Sequence, residues 1–144
     1  MLNHKALLLS LAAGAALLSA PASSQNGRKF ETALSGAAEA PDPGDNDGGG
    51  TAGLTINPGQ GRICYSLRVS NIDPATMAHI HKAGVGEAGP VVVALKAPSG
   101  GSSEACATVG RELALDILRS PVNYYVNVHN EPFPKGAIRG QLVK

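Results

Sequence analysis

The chain has 144 residues, a length typical of one domain. Its 12 Lys and Arg residues nearly balance 11 Asp and Glu residues, with no long run of either sign. This balance argues against a protein that binds nucleic acid or an anionic membrane through its charge. The 18 Gly and 10 Pro residues indicate a turn-rich chain rather than a helical bundle.

The N-terminus has the pattern of a secretory signal peptide. Lys5 precedes an uncharged, largely apolar run over 6–18, and the small residues Ala20 and Ala22 suit a cleavage site. A membrane anchor is the alternative, but this run is shorter than the roughly 20 residues that a membrane-spanning helix needs. We therefore expect an exported protein, periplasmic or extracellular, with no membrane span after cleavage. The expected parts are a signal peptide over 1–22, a disordered stub over 23–29 and a β-domain over 30–144.

Beyond the stub, the pattern is that of short strands separated by turns. In the clearest strand, 63–70, apolar and polar residues alternate, which is typical of a strand with one buried face. The segment 38–50 is predicted to be a loop, with a flexible glycine spacer over 48–50. A helix is predicted over 112–119, because its apolar residues cover one broad face and Pro121 follows. The predicted strands are 30–34, 52–56, 63–70, 77–81, 90–96, 122–129 and 137–143.

These elements predict an all-β fold. Loops too short for parallel crossovers favour antiparallel pairing. We expect a Greek-key-like antiparallel sandwich or barrel of about seven or eight short strands, with one short helix near 111–119. The core is expected to consist of Val, Leu, Ile and Ala, because the chain has only two Phe, three Tyr and no Trp.

Cys64 and Cys106 are the two cysteines of the chain. In an oxidising compartment the expected state is a single disulfide between them. Two separate buried thiols are the alternative, because a sequence does not show whether the two Cα atoms approach closely enough.

Three histidines follow the signal-like segment, and they form the candidate metal site. His79 and His81 lie two positions apart on a predicted strand, so their side chains share a face. On the strand 122–129, His129 is expected to share a face with Tyr125 and Asn127, opposite the core valines. If the two strands are close, three imidazoles can hold copper or zinc with an open fourth position, and such a site should lose its metal below about pH 6.5.

The same polar residues allow other interpretations. The simpler alternative is a hydrogen-bonded network on the surface, formed by the same histidines together with Glu39 and Arg139 and without a metal. Three histidines cannot supply the dinuclear site of copper–zinc superoxide dismutase, so that activity is not expected. The aspartates of 42–47 depart from the spacing of a calcium-binding EF-hand loop, and a solvated acidic loop is favoured. The chain has no nucleophile-elbow motif and no phosphate-binding glycine loop.

The motifs together resemble the chordin-domain (CHRD) family over about residues 30–143. The matching segments are Leu-Ser-Gly-Ala-Ala-Glu-Ala-Pro (34–41), Ala-His-Ile-His (78–81), Gly-Pro-Val-Val-Val-Ala-Leu (89–95), Tyr-Tyr-Val-Asn-Val-His-Asn (124–130) and Phe-Pro-Lys-Gly-Ala-Ile-Arg-Gly-Gln-Leu (133–142). The family's polar signature corresponds here to Glu39, His79, His81, Asn127, His129 and Arg139. Asn130 stands where the family often has Thr.

The resemblance implies a secreted β-domain, here a single-domain member of the microbial type. The growth-factor binding of chordin is not carried over, because this chain lacks the cysteine-rich modules that carry much of that binding. The expected function is a non-enzymatic module that binds an unknown protein or matrix partner, or serves as a stable envelope domain. A mononuclear copper or zinc protein using the three histidines is the alternative.

Overall fold

The computed structural model describes residues 27–144, and these residues form one eight-stranded antiparallel sheet. The strands are β1 (Arg28–Ser35), β2 (Gly49–Asn57), β3 (Arg62–Ser70), β4 (Met77–Lys82), β5 (Val91–Leu95), β6 (Ser102–Thr108), β7 (Tyr124–His129) and β8 (Ile138–Gln141). One α-helix, α1 (Arg111–Arg119), and two 3-10 turns, Gly36–Ala38 and Pro121–Asn123, complete this part of the chain. The signal-peptide prediction over 1–22 lies outside the described residues.

The strand order is β5-β4-β7-β8-β1-β2-β3-β6, so the sequence neighbours β6 and β7 are far apart in the sheet. The two edge strands approach each other near Lys96, just after β5. Its N–H donates a hydrogen bond of 2.7 Å to the hydroxyl of Tyr65 on β3, and its carbonyl accepts one of 2.7 Å from Ser103 on β6. The sheet is therefore a nearly closed barrel, which confirms the predicted all-β antiparallel fold.

The inside of the barrel is filled by alternate residues of the strands, as the period of a β-strand requires. On β3, Ile63 and Leu67 are fully buried, while the neighbouring Arg62 and Arg68 are exposed. Helix α1 contributes Ala114 and Ile117 to the same core. The core is built mainly of aliphatic side chains, as its composition predicts. Among the described residues, no helix is both long enough and apolar enough to cross a membrane.

Strand β6 is the element that the sequence pattern does not reveal. Its residues are mostly small and polar, without alternating large apolar side chains, so nothing in its periodicity indicates a strand. Tertiary pairing places it at the sheet edge beside β3, where Cys64 lies directly opposite Cys106. The two cysteines form a disulfide with a Cα–Cα distance of 3.9 Å, as predicted.

Three predicted boundaries are wrong. Gly49 and Gly50 belong to β2 instead of a flexible spacer, and a Cβ on Gly50 would lie 2.4 Å from the carbonyl oxygen of Arg68. The range 28–29 belongs to β1 instead of the disordered stub, and the rest of that stub, up to residue 26, lies outside the described residues. Residues 122–123 of the predicted strand 122–129 form part of a 3-10 turn. In each case pairing or a local turn overrides the composition of the segment.

Candidate functional site

The candidate site lies on the outer face of three adjacent strands, β4, β7 and β8. In the register of these strands, His79 lies opposite Asn127, which in turn lies opposite Arg139. One row along, His81, Tyr125 and Gln141 are aligned in the same way, and on the other side Met77 lies opposite His129. Side chains two positions apart on a strand share a face, so all these residues meet on one surface. The two histidine strands are therefore neighbours, which is the condition that the three-histidine hypothesis requires.

The structure corrects the expectation that this face is a polar surface. Five of its side chains are buried, with exposed fractions of 9% for His81, 5% for His129, 3% for Asn127 and 2% for both Tyr125 and Arg139. The segment 84–89 and the segment 133–136 cover the face, because their backbone carbonyls accept hydrogen bonds from its side chains. The result is a second, polar interior outside the barrel wall.

The three histidines form one compact cluster. The ring centroids of His79 and His129 are 5.1 Å apart, those of His79 and His81 5.5 Å, and those of His81 and His129 6.0 Å. One ring nitrogen from each residue can be chosen so that all three lie within 4.8 Å of one another. In a tetrahedral site with metal–nitrogen distances of about 2.0–2.1 Å, the nitrogen atoms are about 3.3–3.4 Å apart, so the three rings would shift closer together to hold one ion.

Hydrogen bonds determine which nitrogen of each ring carries the proton. Nδ1 of His81 lies 2.9 Å from the carbonyl oxygen of Gly89, and Nδ1 of His129 lies 3.2 Å from that of Pro134. A carbonyl only accepts, so in the neutral rings both Nδ1 atoms are protonated and both Nε2 atoms keep a lone pair. Nδ1 of His79 lies 3.1 Å from Nε2 of His129 and donates to it.

Burial keeps these imidazoles neutral. Desolvation is the largest cause, and together with the neighbouring His79 and His81 it lowers the pKa of His129 to about 4. The pKa values of His79 and His81 are also lowered, in both cases mainly by burial. Neutral imidazole is the form that binds a metal ion, so at pH 7 the cluster is ready to act as a ligand set.

Arg139 is a buried cation that forms no ion pair with a carboxylate of residues 27–144. Its guanidinium donates to the carbonyl oxygens of Glu87 (2.7 Å) and Gly84 (2.8 Å) and to Oε1 of Gln141 (3.2 Å). It also lies 3.4 Å from the ring centroid of Tyr125, which stacks against His81 with a centroid distance of 4.8 Å. Because β4 and β8 flank β7 on opposite sides, the Tyr125 ring lies between the imidazole and the guanidinium. Arg139 thereby anchors the covering segment 84–89.

Glu39 reaches the same face from the loop after β1. Its Oε2 accepts a hydrogen bond of 3.2 Å from Nδ2 of Asn127. Desolvation raises the pKa of Glu39 to about 7, although the Asn127 hydrogen bond and the charge of Arg139 both oppose the rise. Gly136 packs directly on this carboxylate, and a Cβ there would lie 2.5 Å from Oε2.

A cavity of about 320 Å³ adjoins the histidine cluster. Three buried polar atoms without a hydrogen-bond partner belong to residues that line it: Oε1 of Glu39, Nε2 of His81 and Oδ1 of Asn127. At the exposed rim, Lys135 forms an ion pair of 3.0 Å with Asp42. A larger depression of about 620 Å³ lies over the other strands β1, β2, β3 and β6, away from the histidines.

The sequence indicates most of these site residues, but it does not indicate the backbone carbonyls that accept hydrogen bonds from them. All six polar signature residues lie on the shared face or hydrogen-bond to it. Sequence reasoning missed Gln141, although its position two residues after Arg139 on a strand is a usable signal. It also missed the carbonyls of Gly84, Glu87, Gly89 and Pro134, which no sequence motif reveals. Asn130 has a structural role: its Oδ1 accepts from the N–H of Phe133 at 2.9 Å and shapes the turn after β7.

Comparison with known proteins identifies the family. The family model described as CHRD domain matches residues 30–142. Neither the search of curated proteins nor the search of solved structures found a match. The match covers the whole barrel from Phe30 of β1 to the residue after β8, and it contains every residue of the polar face described above. The chain therefore belongs to the CHRD-domain family.

Proposed function

We propose that this protein is an exported, non-enzymatic CHRD module that binds one copper or zinc ion through His79, His81 and His129. The observation that carries the proposal is the convergence of one nitrogen from each ring within 4.8 Å on a buried face. Three histidine ligands leave a fourth position open, and both copper and zinc accept imidazole.

The hydrogen bonds around the rings support a metal site. His81 and His129 are each anchored through Nδ1 to a backbone carbonyl, which directs Nε2 inward. Anchoring the second nitrogen of a metal-binding histidine in this way is a regular feature of such sites, because it selects the tautomer and orients the ring. His79 supplies Nδ1, and its proton moves to Nε2 when the hydrogen bond to His129 gives way to the ion.

The alternative is a purely structural module that binds a protein or matrix partner. The same hydrogen bond between His79 and His129 supports it, since the cluster is satisfied in part without an ion. The unpartnered Nε2 of His81 favours the metal, because a buried polar atom without a partner costs about 1–3 kcal/mol.

Calorimetric titration of the metal-free protein with Cu(II) and with Zn(II) at pH 7 tests the proposal. We expect one equivalent to bind, and we expect His129→Gln to remove this binding. Tyr125→Phe is the matched control, because it alters the same face and keeps the stacked ring but removes no imidazole. No binding of either metal to the wild-type protein would overturn the proposal.

Export is supported by the signal-like pattern over 1–22 and by the disulfide, which persists in oxidising compartments. Mass spectrometry of the protein from its native host should find a chain that begins near Ser23. Finding the intact chain from Met1 in the membrane fraction would contradict export as a cleaved protein.

A further inference from the structure

The cavity beside the histidine cluster has a polar wall whose hydrogen-bonding capacity is unused. Asn127 is 3% exposed and His81 is 9% exposed, yet each has a buried polar atom without a partner. Glu39 contributes a third such atom, Oε1. Buried polar atoms in native proteins are nearly always paired, so three unpaired atoms beside one cavity mark a place where a bound molecule can supply the missing hydrogen bonds.

All three unpaired atoms are hydrogen-bond acceptors. Nδ1 of His81 donates to Gly89, which leaves Nε2 with a lone pair. Nδ2 of Asn127 donates to Glu39, so the free atom of that amide is its carbonyl oxygen. The carboxylate of Glu39 only accepts. An anion has no donor to offer this wall, whereas a ligand with several N–H donors matches it.

We infer that the cavity is a binding site for a small primary amine. A protonated primary amine has three N–H donors and no acceptor, one donor for each unpaired atom. Its positive charge is also complementary to the carboxylate of Glu39. The remaining wall includes Pro41, Ala88 and the ring of Tyr125, which provide an apolar surface for a short carbon chain.

The site does not depend on the metal. Glu39 and Asn127 lie outside the three-histidine set, and the metal-free protein offers all three acceptors. The volume of about 320 Å³ leaves room for a carbon chain of a few atoms beyond the amine nitrogen.

NMR titration of the purified, metal-free protein tests the inference with three probes of similar size. Propylamine, N,N-dimethylpropylamine and 1-propanol offer, in their forms at pH 7, three N–H donors, one N–H donor and one O–H donor. We expect saturable shifts of the Asn127 side-chain amide and of the Gly89 amide with propylamine. The other two probes should bind at least about tenfold more weakly, because each leaves buried acceptors unpaired.

Two variants test whether the cavity is the site. Glu39→Gln retains the shape and the bond to Asn127 but turns Oε1 into a donor, so propylamine should bind at least about tenfold more weakly. Ala88→Leu fills the cavity from an exposed position and should also weaken binding. Its control is Ala33→Leu, an exposed alanine of β1 outside the cavity lining. If Ala88→Leu does not fold, the Glu39→Gln result decides.

Equal shifts with all three probes, or unchanged binding in Glu39→Gln, would overturn the inference. The absence of any saturable shift would show that water alone fills the cavity and would also overturn it. A zinc titration of the same sample reports on the histidine cluster separately. Failure of the amine site is thus distinguishable from failure of the proposed metal site.

Discussion

Nδ1 of His79 lies 3.1 Å from Nε2 of His129, although 50 positions separate the two residues in the chain. The contact joins β4 to β7 on the outer face of the barrel, where His129 is buried and His79 is half-buried. In the proposed metal site, the ion would replace this hydrogen bond. The energetics of the cluster therefore depend on how well the protein keeps its imidazoles neutral.

Metal affinity should persist to a lower pH than histidines with ordinary pKa values allow. Burial lowers the pKa of His129 to about 4 and also lowers those of His79 and His81, so fewer protons compete with the metal at pH 5.5 than in a solvated cluster. We expect the Zn(II) dissociation constant to rise by less than about tenfold between pH 7 and pH 5.5. Calorimetry at both pH values checks this. A loss of about tenfold or more at pH 5.5 would show that the rings titrate near 6.5 as in a solvated cluster.

The cluster and Glu39 should act on stability in opposite directions as the pH falls. The pKa of His129 is lowered from 6.5 to about 4 on folding. Between these two pH values the unfolded chain binds the proton better, so the stability of the folded protein decreases as the pH is lowered. The pKa of Glu39 is raised from 4.5 to about 7, so in this window the folded chain binds its proton better and stability rises as pH falls.

Glu39→Gln removes one of the two opposing effects. We expect urea denaturation of this variant to show a steeper loss of stability between pH 7 and pH 5, by up to about 1 kcal/mol per pH unit. The nearby charges of Arg139, Asp42 and Lys135 are unchanged by the substitution. A pH dependence identical to that of the wild type would mean that Glu39 titrates at its ordinary value.

Arg139→Met should destabilise the protein by about 3 kcal/mol. The substitution fills similar space, but it leaves the carbonyls of Gly84 and Glu87 without their donor and removes the cation from the Tyr125 ring. Arg111→Met, at the exposed start of α1, should change stability by less than about 0.5 kcal/mol. Urea denaturation measures both. Hydrogen exchange should show faster exchange in 84–89 for Arg139→Met alone, and equal losses in the two variants would contradict an anchoring role.

Met77→Leu should distinguish copper from zinc. Met77 lies opposite His129 on the histidine face and is 46% exposed, at the edge of the cluster. A thioether is a soft ligand that suits Cu(I) and has little affinity for Zn(II). We expect Met77→Leu to weaken Cu(I) binding about tenfold and to leave Zn(II) binding unchanged. Competition with a chromophoric chelator measures both constants, and an unchanged Cu(I) constant would show that Met77 takes no part.

Loss of the disulfide should cost about 3–4 kcal/mol, because Cys64 and Cys106 are separated by 42 positions in the chain. The double variant Cys64→Ala/Cys106→Ala and the reduced wild type should have the same lowered melting temperature. Thiol titration of the native, unreduced protein should find no free thiol. Two titratable thiols would contradict the disulfide, and an unchanged melting temperature on reduction would show that it adds little.

The sequence by itself determined the fold class and most strands. The alternation of β3 and the spacing of His79 and His81 are local properties, because the period of a strand decides which side chains share a face. The family motifs also place Glu39 and Arg139 among the polar residues of the site. These inferences need no knowledge of which strands are neighbours.

Only the tertiary structure decided that the polar face is buried and which groups form hydrogen bonds with its side chains. Strand β6 forms because β3 offers it a hydrogen-bonding edge, not because its own residues favour a strand. Glu39 and Asn127 meet across 88 positions, and Arg139 is satisfied by the carbonyls of a distant loop. Backbone carbonyls are present at every residue, so the sequence cannot show which of them a buried side chain will find. That choice depends on the packing of the covering segments, and it creates the buried cluster, the lowered pKa values and the cavity.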